Sequence, residues 1–275
     1  DHRDLHSFPT RRSSDLDISS TGTKLTLTQD CGQAIDANDN IVWLDPEDEG
    51  CATIAFPPGF EFPFGGDLHS AIRVIANGRL SFDFTYPWIT FRNYDFPIIL
   101  WGIDIPIHIA PFWDDIAAAE VWYQFDSDAE GEFLVVQWTG PVYDFPGSNI
   151  EVQAVLRDSG KFTFRYGNMT GQGDLMSEEH VNGASATIGF QTPAYDVWHN
   201  LHFGHWEFWW GGPMPGGLGG RAWTYMPPLP PPGPNGSVSF APSESQTVTL
   251  TAHGKNGDVS ATVSIIVHEA PELVV

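Results

Sequence analysis

The stretch IEVQAVLRDSGKFTFRYG, residues 150–167, fixes the fold class. Apolar and polar residues alternate on both sides of Asp158-Ser159-Gly160, a turn-forming triplet, so the segment reads as an antiparallel hairpin. Val152, Ala154 and Leu156 share one face, where Phe162, Phe164 and Tyr166 meet them, while Glu151, Gln153, Thr163 and Arg165 point the other way. One buried face is what an antiparallel sheet packed on a core requires. Just upstream, VWYQF (121–125) and FLVVQW (133–138) flank DSDAEGE and form a second hairpin of the same kind. Two successive hairpins predict an all-β protein built as an antiparallel β-sandwich.

Composition agrees. With 28 Gly, 22 Pro, 11 Trp, 7 Tyr and 19 Phe among 275 residues, the chain favours sheets and turns over helices. The formal net charge is -23. Nucleic acid and anionic lipid are bound through clustered Lys and Arg, so this balance argues against both as partners. No apolar run approaches the roughly 20 residues of a membrane helix, which predicts no membrane segment in the visible chain.

The opening DHRDLHSFPTRRSSDL, residues 1–16, carries no periodic pattern. Written back into codons it resembles a translated sequencing adapter, the mark of a metagenome assembly, and it is set aside as an artefact. The segment is expected to be exposed and irregular.

Further short motifs follow one another along the chain: FPFGG (62–66), IRVIANGRLSF (72–82), IAPFWDD (109–115), FLVVQW (133–138), the 155–167 hairpin and ASATIGFQ (184–191). Their order resembles that of NIDO-like β-sandwich modules of secreted bacterial proteins, over Phe62 to Gln191. The resemblance implies a non-catalytic extracellular piece attached to adhesins, matrix proteins or proteases. An insertion, DFTYPWITFRNYDFPIILWGIDIPIH (83–108), departs from that pattern.

Beyond the module the composition shifts. GGPMPGGLGG (211–220) and MPPLPPPGP (226–234) combine flexible glycines with a stiff polyproline spacer. The expected organisation is a sandwich domain over 17–211 with an N-terminal disulfide loop, a Gly/Pro linker over 212–234, and a partial Ig-like unit over 235–275. In that last unit Val248, Leu250 and Ala252 alternate on one face with Ala261, Val263, Ile265 and Val267. Three short strands supply one layer of a sandwich and leave the apolar face in need of a second, which either TKLTLT or the Trp-rich segment of the same chain or a strand donated by another copy would supply. Val248, Leu250, Val263 and Ile265 are therefore candidate assembly residues.

Cys31 and Cys51 bracket GQAIDANDNIVWLDPEDEG. A bridge across a loop of this length stabilises by roughly 3 kcal/mol in the chain-entropy model, and a secreted protein would oxidise the pair. The alternative is two buried thiols in a reducing compartment. Within the loop, Asp36, Asn38, Asp39, Asn40 and Asp45 are hard oxygen donors of the kind calcium takes, with Glu47, Asp48 and Glu49 close behind; a solvated acidic loop has the same composition. Asp114 and Asp115 form a second candidate, which the resemblance assigns to fixing a turn. Trp206, Trp209, Trp210, Trp223 and Tyr225 are candidate contacts for glycan or a protein partner, weighed against burial in the core. His199, His202 and His205 recur at every third residue, a spacing that divides them between the faces of a strand.

No G-x-S-x-G, H-E-x-x-H or phosphate-loop motif occurs. The expectation is a non-enzymatic secreted structural or adhesion protein of the cell surface, a subunit of an extracellular filament assembled by strand donation. The alternatives are an accessory module of a larger secreted hydrolase and a polysaccharide-binding module using the Trp-rich stretch. Calcium is the one cofactor expected, and self-association or other surface proteins are the expected partners.

Overall fold

The computed structural model describes residues 17–28, 34–35, 41–42, 46–84, 93–96, 99–100, 103–104, 109–117, 119–192, 198–204, 212–226, 246–254 and 257–265. The adapter-like residues 1–16 lie outside the described residues.

The first elements are β1 (Thr23–Lys24), β2 (Ala34–Ile35), β3 (Ile41–Val42), helix α1 (Pro46–Glu49) and β4 (Cys51–Ala55). Next come β5 (Phe62–Phe64), β6 (Asp67–His69), β7 (Ala71–Ile75), β8 (Arg79–Ser81), β9 (Ile99–Leu100), β10 (Ile103–Asp104) and β11 (Ile109–Trp113). The long hairpins supply β12 (Glu120–Asp128), β13 (Gly131–Gly140), β14 (Ile150–Arg157) and β15 (Phe162–Tyr166). Helix α2 (Leu175–Val181), β16 (Thr187–Gln191), β17 (Trp198–Phe203), β18 (Ala222–Tyr225), β19 (Gln246–Gly254) and β20 (Gly257–Ile265) complete the order. The chain divides after Pro227 into two compact units.

The first unit is an antiparallel sandwich. One six-stranded sheet has the order β1-β12-β13-β14-β15-β18, the other β17-β16-β11-β8-β7-β4. Both hairpins form in the expected register: Val152 lies opposite Tyr166, Ala154 opposite Phe164 and Leu156 opposite Phe162. Leu134, Val136 and Trp138 on β13 and Ile72, Val74 and Leu80 on β7 and β8 are all fully buried in one core. The sheets are also tied by polar links. Trp138 Nε1 donates to the Ile75 carbonyl at 2.9 Å, and the Tyr166 hydroxyl donates to the Pro111 carbonyl at 2.5 Å.

Pro111 sits inside a central strand, where a missing N–H would break the ladder. A register shift between Ala110 and Trp113 absorbs it. At the β7–β8 turn Gly78 has φ +68, and a Cβ there would lie 1.9 Å from the Phe112 carbonyl oxygen. Only glycine lets β11 approach this turn so closely.

On the outer face of the first sheet Gln137 and Gln153 lie opposite each other and are linked at 2.7 Å. Asp17 and the Ile18 amide bond the Gln137 side chain, at 2.7 and 3.0 Å, so the first described residues cover this polar pair. The TKLTLT segment contributes less strand than its alternation suggests. Only Thr23–Lys24 pair with β12, and Thr28 bridges to Cys51.

Helix α2 and strand β18 lie outside the sequence expectation. Helix α2 is capped by Asp174, whose carboxylate accepts from the Ser177 amide at 2.9 Å. Strand β18 falls inside the stretch assigned to a linker over 212–234, yet it pairs with β15 from Phe162–Tyr225 to Arg165–Ala222. Leu218 from the same stretch is fully buried. The aromatic residues Trp223 and Tyr225 outweigh the flanking glycines, because their rings meet Tyr166, Phe162 and Phe190 at centroid distances of 5.1, 5.0 and 4.4 Å.

In the second unit β19 and β20 form a two-stranded sheet with Val248 opposite Val263 and Leu250 opposite Ala261. The third strand expected there lies outside the described residues.

Candidate functional site

At one end of the sandwich the chain gathers acidic groups from distant positions. Helix α1 ends in Asp48 and Glu49, and the segment leaving β11 begins with Asp114 and Asp115. Asn77 in the β7–β8 turn holds the two together. Its amide nitrogen donates to Glu49 Oε2 at 3.0 Å, and its oxygen accepts the Ile116 amide at 2.9 Å. Asn77 is fully buried, so both ends of its side chain require partners.

Carboxylate oxygens of Asp48, Glu49 and Asp115 lie within 4.8 Å of one another. Glu49 is only 5% exposed. Burial drives its pKa up to about 7, with Asp48 adding to the rise and Arg79 and Asn77 opposing it. Asp115 rises to about 8, first through burial and then through Glu49, Asp48, Asp114 and Asp144. Asp114 is pushed to about 7 by burial, against the hydrogen bonds it accepts from Ser185 Oγ at 2.6 Å and the Asp115 amide at 2.9 Å.

Arg79 adds a buried cation beside the acids. It is fully buried, its guanidinium lies 4.8 Å from the centroid of the Trp113 ring, and none of its three side-chain nitrogens has a hydrogen-bond partner among the described residues. Burial lowers its pKa to about 9 and Glu49 opposes that shift, so it remains charged at neutral pH.

Oxygen donors without sulfur or imidazole suit a hard cation. The structure thus brings together Asp48 and Glu49 from one candidate segment with Asp115 from the other. Asp114 is set apart by its bond to Ser185. The loop candidates Asp36, Asn38, Asp39, Asn40 and Asp45 lie outside the described residues. Asn77 and Arg79 were not among the sequence candidates. A lone arginine in an apolar strand, IANGRLSF, was the available signal, since burying it requires a counter-charge.

The aromatic candidates divide. Trp206, Trp209 and Trp210 lie outside the described residues, whereas Trp223 and Tyr225 pack partly buried against the core. His199 stacks near Phe190 at 5.5 Å and His202 Nε2 lies 2.7 Å from the Gly183 carbonyl oxygen, so the two histidines serve different neighbours; His205 is outside the described residues. Val248, Leu250, Val263 and Ile265 lie on the paired strands β19 and β20. Among the described residues no helix is long and apolar enough to cross a membrane.

The family model described as NIDO related matches residues 33–202. The chain belongs to the NIDO-related family. The match runs through both sheets from β4 into β17, leaving out the edge strands β1 and β18, and contains Glu49, Asn77, Arg79 and Asp115, so the acidic end is part of the NIDO-related module. Comparison with curated proteins and with solved structures returned no match.

Proposed function

We propose that this protein is a non-enzymatic extracellular structural module, a NIDO-related sandwich that joins copies of itself into a filament through its C-terminal unit. The observation that carries the reading is the register of β19 and β20. Val248 stands opposite Val263, Leu250 opposite Ala261 and Gln246 opposite Ile265, so the apolar positions fall in one cross-strand row. A two-stranded hairpin is marginal in water on its own. A strand donated by a neighbouring copy extends the sheet, satisfies an open edge and covers the row, as in β-strand addition. Head-to-tail donation that does not close into a ring generates a fibre. In this reading residues 235–275 are the closing part of an Ig-like unit completed between chains.

Extracellular placement is supported by the NIDO-related family and by the cysteines. Cys51 is fully buried. The Thr28 and Cys51 amides each donate to the other residue's carbonyl, at 2.8 and 2.9 Å, which sets Thr28, three positions before Cys31 in the sequence, alongside β4. A Cys31–Cys51 bridge is the pairing this favours, and intact mass before and after reduction tests it.

Electron microscopy of the full chain checks the assembly. Fibres with a regular axial repeat are expected, and deletion of residues 237–275 should leave soluble monomers. A full-length protein that stays monomeric at high concentration would refute the filament.

A further inference from the structure

We propose that Asn168 is a modification site, the attachment point of an N-linked glycan transferred from a polyprenyl-diphosphate-linked oligosaccharide, which rests on the extracellular placement proposed above. Residues 168–170 read Asn-Met-Thr, the tripeptide that such transfer requires. The loop after β15 presents this tripeptide in the form a transferase needs.

The tripeptide is extended. Thr170 forms an isolated antiparallel bridge with Asn149, in which the Thr170 amide donates to the Asn149 carbonyl at 2.9 Å and the Asn149 amide to the Thr170 carbonyl at 2.7 Å. Successive side chains of an extended segment point to opposite sides. Met169 accordingly packs against the core, while Asn168 and Thr170 are both exposed. Asparagine and threonine thus share one outward face, and the Thr170 hydroxyl donates to Asn168 Oδ1 at 2.5 Å. That bond engages the oxygen of the amide and leaves Nδ2, the atom to be modified, without a hydrogen-bond partner among the described residues. Attachment of a sugar changes only the nitrogen, so the bond from Thr170 survives it.

The flanks are held close to the body of the sandwich. Gly167 and Gly171 bracket the tripeptide, and a Cβ on either would collide, with the Glu151 carboxylate at Gly167 and with the Glu178 amide of helix α2 at Gly171. Glycine at both positions lets the backbone run against these neighbours. The Gly167 amide donates to the Glu151 carbonyl at 2.8 Å and the Asn168 amide to Glu151 Oε2 at 3.3 Å, which fixes the backbone and leaves the side chain outside. Asn168 follows the last residues of β15, whereas Tyr225, at the end of β18, lies opposite Phe162 at the start of β15. The glycan and the exit of β18 therefore belong to opposite ends of that strand. A second tripeptide of the same form, Asn235-Gly236-Ser237, lies outside the described residues.

The transfer forms a bond between Asn168 Nδ2 and C1 of the first sugar and breaks the bond from C1 to the carrier's phosphate oxygen. The polyprenyl diphosphate leaves with the bonding electrons, and the amide nitrogen gives one proton to a base of the transferase.

The test incubates the folded full chain with a membrane oligosaccharyltransferase and a polyprenyl-diphosphate-linked oligosaccharide, followed by intact mass and peptide mapping. A discrete mass addition on the peptide that holds Asn168 is expected, and enzymatic release of the glycan should leave an aspartate at that position. Asn168→Gln and Thr170→Val should lose the addition, and Thr170→Ser, which restores the hydroxyl, should keep it. A variant that had merely unfolded would offer its tripeptide more freely, so loss in Thr170→Val reads recognition and not damage to the fold. A folded chain left unmodified, under conditions that modify a short peptide of residues 166–172, overturns the proposal. So does modification confined to Asn235. Neither result bears on the filament, which electron microscopy tests on the unmodified chain.

Discussion

Four neighbouring strands of one sheet, β12 to β15, come from a single continuous run between Glu120 and Tyr166, each paired with the strand before it. The facing sheet draws β4, β7, β8, β11, β16 and β17 from segments spread between Cys51 and Phe203, and β11 is joined to β16 across a long stretch of intervening chain. Local hairpins close short loops, whereas distant pairings must first overcome loop-closure entropy. The first sheet can form largely from its own sequence. The second depends on contacts that pin it to the first and on a few positions that let distant segments approach.

The largest expected effect comes from cutting the connection between them. Trp138 is fully buried on β13 and donates to the Ile75 carbonyl on β7. Trp138→Ala should cost about 3–5 kcal/mol in denaturant unfolding, through the lost volume and the carbonyl left without its partner. A change below about 1 kcal/mol would mean that the sheets do not rely on this ring.

Gly78→Ala strikes only the second sheet. A positive φ held by a residue with a side chain costs about 1–3 kcal/mol, and the contact with Phe112 adds to it. Amide exchange should accelerate at β7, β8 and β11 while β13 and β14 keep their protection. Equal loss of protection in both sheets would erase the contrast and show a single cooperative unit.

Tyr166→Phe removes one hydroxyl and leaves the ring in place. The Pro111 carbonyl, in a strand interrupted by a bulge, loses this donor, and roughly 1–2 kcal/mol should follow. Burial raises the Tyr166 pKa well above its ordinary value, so the phenol remains a donor across the working pH range.

The same contrast governs what the sequence made legible. The 121–138 and 150–167 hairpins could be read residue by residue because each strand lies beside its sequence neighbour and buries one face. Strand β18 escaped notice because AWTY is four residues long and flanked by Gly- and Pro-rich segments, and its place depends on Phe162 and Phe190 far away in the chain. Helix α2 was missed for a related reason, being only seven residues long, although Asp174 preceding Ser177 is a capping signal. The acidic residues were visible as two separate candidates. Nothing local in either segment says that Asn77 will hold them together or that Glu49 will act as counter-charge to a buried Arg79. That information is carried by the packing of the second sheet.

The smallest effect belongs to the rim of the first sheet. Arg157 Nη1 and Nη2 donate to the two carboxylate oxygens of Asp128 at 2.8 and 2.7 Å, and this bidentate pair, with the Glu130 amide, lowers the Asp128 pKa to about 2. An acid whose pKa is depressed in the folded state contributes stability that is fully present above its unfolded value, near 3.9, and is lost as pH falls through the folded value. The difference in melting temperature between wild type and Asp128→Asn should therefore be constant near neutrality and shrink between about pH 4 and pH 2. Asp128 is exposed and salt screens such pairs, so the difference should be small and should narrow further at high ionic strength. Because the pair joins the β12–β13 turn to the end of β14, the substitution should loosen only that corner, and a response that extended to β7 and β8 would show that even the locally built sheet is held from a distance.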